Sequence, residues 1–227
     1  MRKHLIPGGL ADFSVALSDC FSLVNFTWIR SPEMLSKRYY HASAVLENDT
    51  VLVSDGVDRD RNGVVAHWNT TERFDGEKWT QGPDLPLPLS LHCMLVLENG
   101  DIFVAGGITN ISTDSVTYHD ETFVYSISEE KWSRKADMIT PKGSFPCALH
   151  QGEVWASDEF SGNVEIFDPQ ANEWKSGPNL ISYPTESGWV RATYGKFVSS
   201  NNDLIFVAQL VRLYLEISLL CVSSSTI

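Results

Sequence analysis

One phrase built around a tryptophan returns four times along this chain and restricts what it can fold into. "FTWIRSPEML", "EKWTQGPDLP", "EKWSRKADMI" and "NEWKSGPNLI" each carry a Trp, a small or basic residue three positions later, then Pro or Ala, then Asp, Glu or Asn, then Leu or Met. With Trp28, Trp79, Trp132 and Trp174 as one recurring position, the spacings are about 51, 53 and 42 residues. A string this specific is an internal repeat.

Each interval holds the same order of signals. After the Trp phrase comes a Pro-rich link, then "YYHASAVLE", "SLHCMLVLE" or "SFPCALHQG", then a turn ("END", "ENG", "QGE"), then "TVLVSDG", "DIFVAGG" or "EVWASDE". A variable loop follows and leads to "TERFDG", "TFVYSIS" or "VEIFDP" and back to the Trp. Short apolar, β-branched runs bounded by turn residues are strand signals, and no interval sustains a helical period. Each repeat is therefore a small antiparallel sheet that cannot bury both faces alone and must stack on its neighbours. A Trp at one address in every sheet suits sheets that radiate from an axis, because its ring fills the widening gap between them.

The glycine pair Gly106-Gly107, the aromatic-acidic pairs Phe74-Asp75 and Phe167-Asp168 and the Trp positions make the chain resemble the kelch repeat, a four-stranded β-propeller blade. The resemblance implies an all-β fold in which the glycines end the second strand at positive φ. Asp55-Gly56 takes that place in the first full interval, with Asp tolerant of the left-handed region, and Asp158-Glu159 departs from it in the third. The expected organisation is a partial blade over 4–28, repeats over 38–80, 90–133 and 144–175, a partial repeat over 187–208 and an atypical tail over 209–227. Three full and two partial repeats make an incomplete ring, with a small closed four-bladed ring as the alternative. In the tail, Gln209, Arg212 and Glu216 interrupt an apolar stretch that barely reaches membrane-spanning length, so no span is expected.

A net charge of −12 with no basic cluster beyond "MRKH" argues against nucleic acid or an anionic membrane as the main partner. Cys20, Cys93, Cys147 and Cys221 are too few and too scattered for a disulfide framework and read as small buried residues. After "MRKH", the Pro, glycines and Asp of "LIPGGLADF" interrupt any secretory apolar core, so the compartment defaults to the cytoplasm. An extracellular site becomes the alternative if the glycosylation acceptors at Asn25, Asn48, Asn69 and Asn110 are used.

The long loops, about 57–71 and 108–121, fall on one face of such a propeller and carry Asp58, Asp60, His67, Trp68, Asp114, Tyr118, His119 and Asp120. Aromatic and acidic residues on variable loops over a rigid scaffold suit recognition of a protein partner. "DRDRNG", Asp58 to Gly63, opens like a calcium loop, but its twelfth position is Asn69 rather than Glu, so the expectation is an Asn-Gly turn and no metal. His41 and His92 share an offset from their Trp residues and read as repeat-structural, while His67, His119 and His150 lack ligand-spaced partners. No nucleophile elbow, phosphate loop or dinucleotide fingerprint is present, and no cofactor is expected. The resemblance implies a protein-interaction module, with an enzyme of the galactose oxidase or sialic acid mutarotase type as one alternative. The substrate-recognition part of a cullin ubiquitin ligase adaptor, in a longer relative, is the other.

Overall fold

The computed structural model describes residues 4–11, 15–46, 49–59, 65–110, 115–158, 161–179, 183–185, 188–190, 194–200 and 203–209. The first sheet orders β1 (His4–Ala11), β2 (Val15–Val24) and β3 (Thr27–Ser31). The second begins with β4 (Ala42–Val45) and β5 (Val51–Ser54), leaves through a hairpin of β6 (Val57–Arg59) and β7 (Val65–His67), and resumes with β8 (Thr71–Phe74) and β9 (Trp79–Gln81). The third repeats this plan: β10 (Cys93–Val96), β11 (Ile102–Ala105), the hairpin β12 (Ile108–Thr109) and β13 (Thr117–Tyr118), then β14 (Thr122–Ser126) and β15 (Lys131–Arg134). The fourth has β16 (Cys147–His150), β17 (Glu153–Ser157), β18 (Val164–Asp168) and β19 (Glu173–Ser176) without a hairpin. Four further strands form the last two pairings: β20 (Tyr183–Thr185) with β21 (Gly188–Val190), and β22 (Tyr194–Ser200) with β23 (Asp203–Gln209).

All pairings are antiparallel, and the innermost strands β4, β10, β16 and β22 neighbour one another in turn, which makes the sheets blades of a propeller. The ring is open. Among the described residues β1 pairs only with β2, and β22 pairs only with β23, so the four-bladed closure does not form through strand pairing.

The Trp phrase carries the stacking. Trp79, Trp132 and Trp174 stand opposite Phe74, Tyr125 and Phe167 in the outer strand pair and pack on those rings at 5.0–5.3 Å. Each indole then reaches across to the sheet before it: Trp79 Nε1 donates to the Pro32 carbonyl (2.9 Å), Trp132 Nε1 to that of Pro83 (3.4 Å) and Trp174 Nε1 to that of Ala136 (3.1 Å). The Pro or Ala of one phrase is thus the acceptor for the Trp of the next. Two positions further on, Met34, Leu85 and Met138 are buried under the same rings. Trp28 has no preceding sheet in the described residues, and it is 50% exposed where Trp79 and Trp174 are 6% and 7%.

The second strands end as the glycine pair requires. Gly106 and Gly107 hold φ of 62° and 108°, and Asp55 takes φ 55° ahead of Gly56 at 94°. A Cβ on Gly107 would lie 2.9 Å from that of His92 and 3.0 Å from the Ser90 carbonyl, so the link passes too close for any side chain. The close approach serves a bond: Gly9, Gly56 and Gly107 donate to the carbonyls of Arg38, Leu89 and Lys142, each ten residues after its Trp. At Asp158 the chain instead makes a tight turn in which Asp158 receives the Gly162 and Ser161 amides.

The cysteines correct the sequence reading. Cys93 and Cys147 form a disulfide across a Cα–Cα distance of 6.1 Å. They open β10 and β16, 14 and 15 residues after Trp79 and Trp132, and these inner strands of neighbouring blades lie side by side. Cys20 is a buried free thiol, pushed up to about 11 by burial. Residues 210–227, with Cys221 and the interrupted apolar tail, lie outside the described residues.

Candidate functional site

The hairpins after β5 and β11 sit at the same end of adjacent blades, and each is tied to the link that precedes its blade. Tyr39 and Val57 bridge in one, Ser90 and Ile108 in the other, with Tyr39 and Ser90 both eleven residues after a Trp. One residue later the backbone kinks at positive φ in Tyr40, Leu91 and Ser144. These kinks aim amides along the ring: Leu91 N donates to Tyr40 O (2.9 Å) and Ser144 N to Leu91 O (2.8 Å). The hairpins therefore rise from a base of inter-blade backbone bonds.

On the second hairpin, His119 links two polar neighbours. Its Nε2 lies 2.8 Å from Thr109 Oγ1 and its Nδ1 2.9 Å from Glu121 Oε2. Burial pushes the Glu121 carboxyl up, yet the His119 hydrogen bond and nearby charges outweigh this and hold it below the usual range. Val116 and Tyr118 at 41% and 50% exposure give this hairpin an apolar outer surface, and Tyr40 at 36% extends it from the link.

Beneath the hairpins lies a sealed polar cluster. Ser54 Oγ is 2.7 Å from His92 Nε2, and His92 Nδ1 is 4.0 Å from Asp55 Oδ2. Ser54 and Asp55 are fully buried, as is the His92 side chain. Burial lowers His41 to about 4 and His92 to about 3, and raises the Asp55 carboxyl well above its ordinary range. A serine, histidine and aspartate meet here, but the hydroxyl has no route to solvent and the imidazole–carboxylate separation exceeds a hydrogen bond. The arrangement works as core.

Two further buried ionic pairs join the links to the next blade. Arg38 Nη2 meets Glu72 Oε1 at 2.6 Å, and Glu72 also accepts the Leu35 and Ser36 amides. Lys142 pairs with Glu165, which accepts the Ile139 amide and the Thr140 hydroxyl. Arg38 and Lys142 stand ten residues after their Trp, and both glutamates stand two residues before the strand partner of the next Trp. At the junction between, the same two positions hold Leu89 and Phe123, both buried. Pro86 replaces the amide donor of Leu35 and Ile139 there, so a carboxylate would lack one of its ligands.

No family model matches the chain. Among curated proteins it is similar to the F-box/kelch-repeat protein SKIP30 of Arabidopsis thaliana, 27% identical over 118 residues covering 46% of this chain and 34% of the relative. Kelch repeat protein C2 of vaccinia virus is 31% identical over 132 residues, covering 57% of this chain and 24% of the relative. The chain carries kelch repeats. It spans about a third or less of the length of these relatives. Among solved structures, YjhT superposes with a TM-score of 0.70 at 15% identity, covering 90% of this chain and 69% of YjhT, a likeness of fold alone.

On this kelch scaffold the expected site residues separate. Asp58 and His67 lie on the two strands of the first hairpin and Trp68 directly after it, with burial lowering the His67 pKa. Tyr118 is on β13, with His119 and Asp120 following it. All six described residues lie on these hairpins or directly beside them, and His119 is engaged by Thr109 and Glu121. Asp60, Asp114 and most of the "DRDRNG" turn lie outside the described residues. The long loops are paired ladders at their bases: Val57↔His67 to Arg59↔Val65, and Ile108↔Tyr118 with Thr109↔Thr117. Sequence reasoning missed the Arg38–Glu72 and Lys142–Glu165 pairs. A cation ten residues after the Trp was the available signal, and it fails in the middle interval.

Proposed function

We propose that this protein is a protein-interaction module that holds its partner on the face built by the β6–β7 and β12–β13 hairpins. The observation that carries this reading is their anchorage: variable segments bridged at Tyr39–Val57 and Ser90–Ile108 to a rigid ring of links. Asp58, His67, Trp68, Tyr118 and Asp120 form the contact set, with Tyr118 and Val116 as the apolar centre and the acids at the rim. Asp60 and Asp114 belong to the same loops in sequence and join the set on that ground. The partner is a protein with basic or amphipathic character, since the chain carries a net charge of −12.

The test replaces each hairpin by a tight turn and compares proteins captured by the intact and trimmed chains. Partners lost on trimming, with the thermal melt unchanged, support the reading. Partners that remain bound after both hairpins are removed count against it. The enzyme alternative gains no support from the Ser54, Asp55 and His92 group, which is sealed.

A further inference from the structure

The outer strand pair of each sheet turns back just before its Trp, and the backbone of that turn recurs. The residue two before the Trp holds positive φ in three sheets, Phe26 at 61°, Glu130 at 52° and Asn172 at 53°, while in the second sheet Gly76, one residue earlier, takes 99°. The turn is exposed in the second and third sheets, which have a blade on either side, so its exposure is a property of the turn itself. Polar residues occupy the position two before the Trp there and in the fourth sheet: Glu77, Glu130 and Asn172. The first sheet instead has Phe26, which is 99% exposed. Asn25 and Phe26 are the two residues between the paired Val24 and Thr27, both at positive φ, a turn that suits Asn first and Gly second. A bulky side chain is disfavoured at that second place, and a ring in water gains nothing from folding.

The neighbours of Phe26 supply a reason for it. Asn25-Phe26-Thr27 is an acceptor pattern for N-linked glycosylation, which belongs on a surface turn. Asn25 and Thr27 are exposed, and neither side chain makes a hydrogen bond among the described residues. The fold sets this acceptor apart from Asn69. Asn69 is half-buried, its Nδ2 donates to the Leu85 carbonyl at 3.1 Å and its own carbonyl accepts the Leu85 amide at 2.7 Å, so its amide nitrogen is locked in the link. An independent observation is the disulfide. Cys93 and Cys147 join inner strands of neighbouring blades, and such bonds form and persist in oxidising compartments, on the secretory route along which Asn-X-Thr acceptors are used.

We propose that Asn25 carries an N-linked oligosaccharide that covers the Phe26 ring, and that the chain matures in the oxidising compartment in which Cys93 and Cys147 pair. In the transfer, Asn25 Nδ2 forms a bond to the anomeric carbon of a lipid diphosphate-linked oligosaccharide. The bond from that carbon to the diphosphate oxygen breaks, the lipid diphosphate leaves, and the amide gives up one proton. The Thr27 hydroxyl completes the acceptor pattern. A bulky, hydrated glycan at the first turn position gives the ring at the second the cover that the polar residues of the other sheets do not need. Because the strands are antiparallel, this turn lies at the opposite end of its sheet from the connection between second and third strands, so the glycan leaves the β6–β7 and β12–β13 face open.

The test is mass spectrometry of the chain purified from the cells that make it, with free thiols blocked by iodoacetamide before digestion. Release by peptide N-glycosidase in heavy-oxygen water turns an occupied Asn into a labelled Asp, so each acceptor is read separately. The expected result is a label at Asn25, none at Asn69, and Cys93 and Cys147 recovered in one disulfide-linked peptide pair. Thr27→Ala removes the Asn25 label. Enzymatic removal of the glycan from the folded chain adds a binding site for the apolar dye anilinonaphthalene sulfonate, and Phe26→Ser, which keeps the acceptor pattern, abolishes that gain. An unlabelled Asn25 overturns the proposal, as does a chain in which Cys93 and Cys147 are both alkylated. A label that survives Thr27→Ala, or one at Asn69, overturns the selection of Asn25 by the fold, and a dye signal indifferent to Phe26 overturns its cover.

Discussion

The Arg38–Glu72 pair provides a double-mutant cycle whose outcome the chain has already written into its own middle junction. Arg38 is fully buried, Glu72 is 2% exposed, and their charged atoms are 2.6 Å apart. Replacing Arg38 with Leu leaves a carboxylate buried with two amide donors and no counter-charge, which costs about 3–5 kcal/mol. Glu72→Phe alone leaves the guanidinium with the Asp55 and Thr70 carbonyls at 2.8 and 3.0 Å but no anion, at a similar cost. The double variant copies Leu89 and Phe123. It removes both charges, and its remaining penalty is the unpaired Leu35 and Ser36 amides, about 1–3 kcal/mol each when sealed from water. The Thr70 carbonyl keeps the Asp55 amide at 3.0 Å. The double should therefore cost less than the two singles together by about 3 kcal/mol or more. Urea denaturation followed by fluorescence of the buried Trp79, with unchanged slope, measures all four corners. Additive costs, or singles below about 1 kcal/mol, would refute the claim that a buried charge holds this junction.

Further expectations follow from individual residues. His41 and His92 have folded pKa values of about 4 and about 3, below the ordinary 6.5, so the unfolded chain binds more protons as pH falls. Stability is lost as pH drops below about 6.5, by about 1.4 kcal/mol per pH unit per histidine until each folded pKa is reached. The raised Asp55 carboxyl opposes this at acid pH, and His92→Gln should flatten the slope in a pH-dependent melt. The disulfide closes a loop of 54 residues, worth about 4 kcal/mol in the chain-entropy account, and comparing oxidised chain with Cys93→Ala/Cys147→Ala in urea checks it. Trp174→Phe loses the one indole N–H, which is shared between Thr122 Oγ1 and the Ala136 carbonyl at 3.1 Å each, and should cost about 1–3 kcal/mol. Gly107→Ala should cost about 1–3 kcal/mol by the same assay, because its φ of 108° and the nearby Ser90 carbonyl both exclude a Cβ.

What the sequence makes legible is whatever repeats in the same letters. The Trp phrase locates the outer strands because every blade needs the same ring at the same gap. The glycine pair locates the second-strand ends because only a backbone without a side chain, or Asp55 in its place, passes beneath the link. The buried ion pairs are hidden for the opposite reason: their two positions do not keep the same residues, and the middle junction holds buried Leu89 and Phe123 where its neighbours hold a charge pair. The disulfide had a visible signal, the nearly equal offsets of Cys93 and Cys147 from their Trp residues, but such offsets become adjacency only once the inner strands are known to line one axis. The hairpins in the long loops escape notice because ladders of two or three residue pairs carry no alternation to read. The exposure of Trp28 among the described residues is not encoded in its own phrase, which matches that of the buried Trp79 and Trp174.

The direct test of the account is a nuclear Overhauser experiment on the indole N–H protons in the folded chain. Trp79 should contact Pro32, Trp132 should contact Pro83 and Trp174 should contact Ala136, neighbours that lie 47, 49 and 38 residues away in sequence. If these protons contact only residues of their own phrase, or groups that differ in kind from one tryptophan to the next, the blades are not keyed to one another and the propeller assignment is wrong.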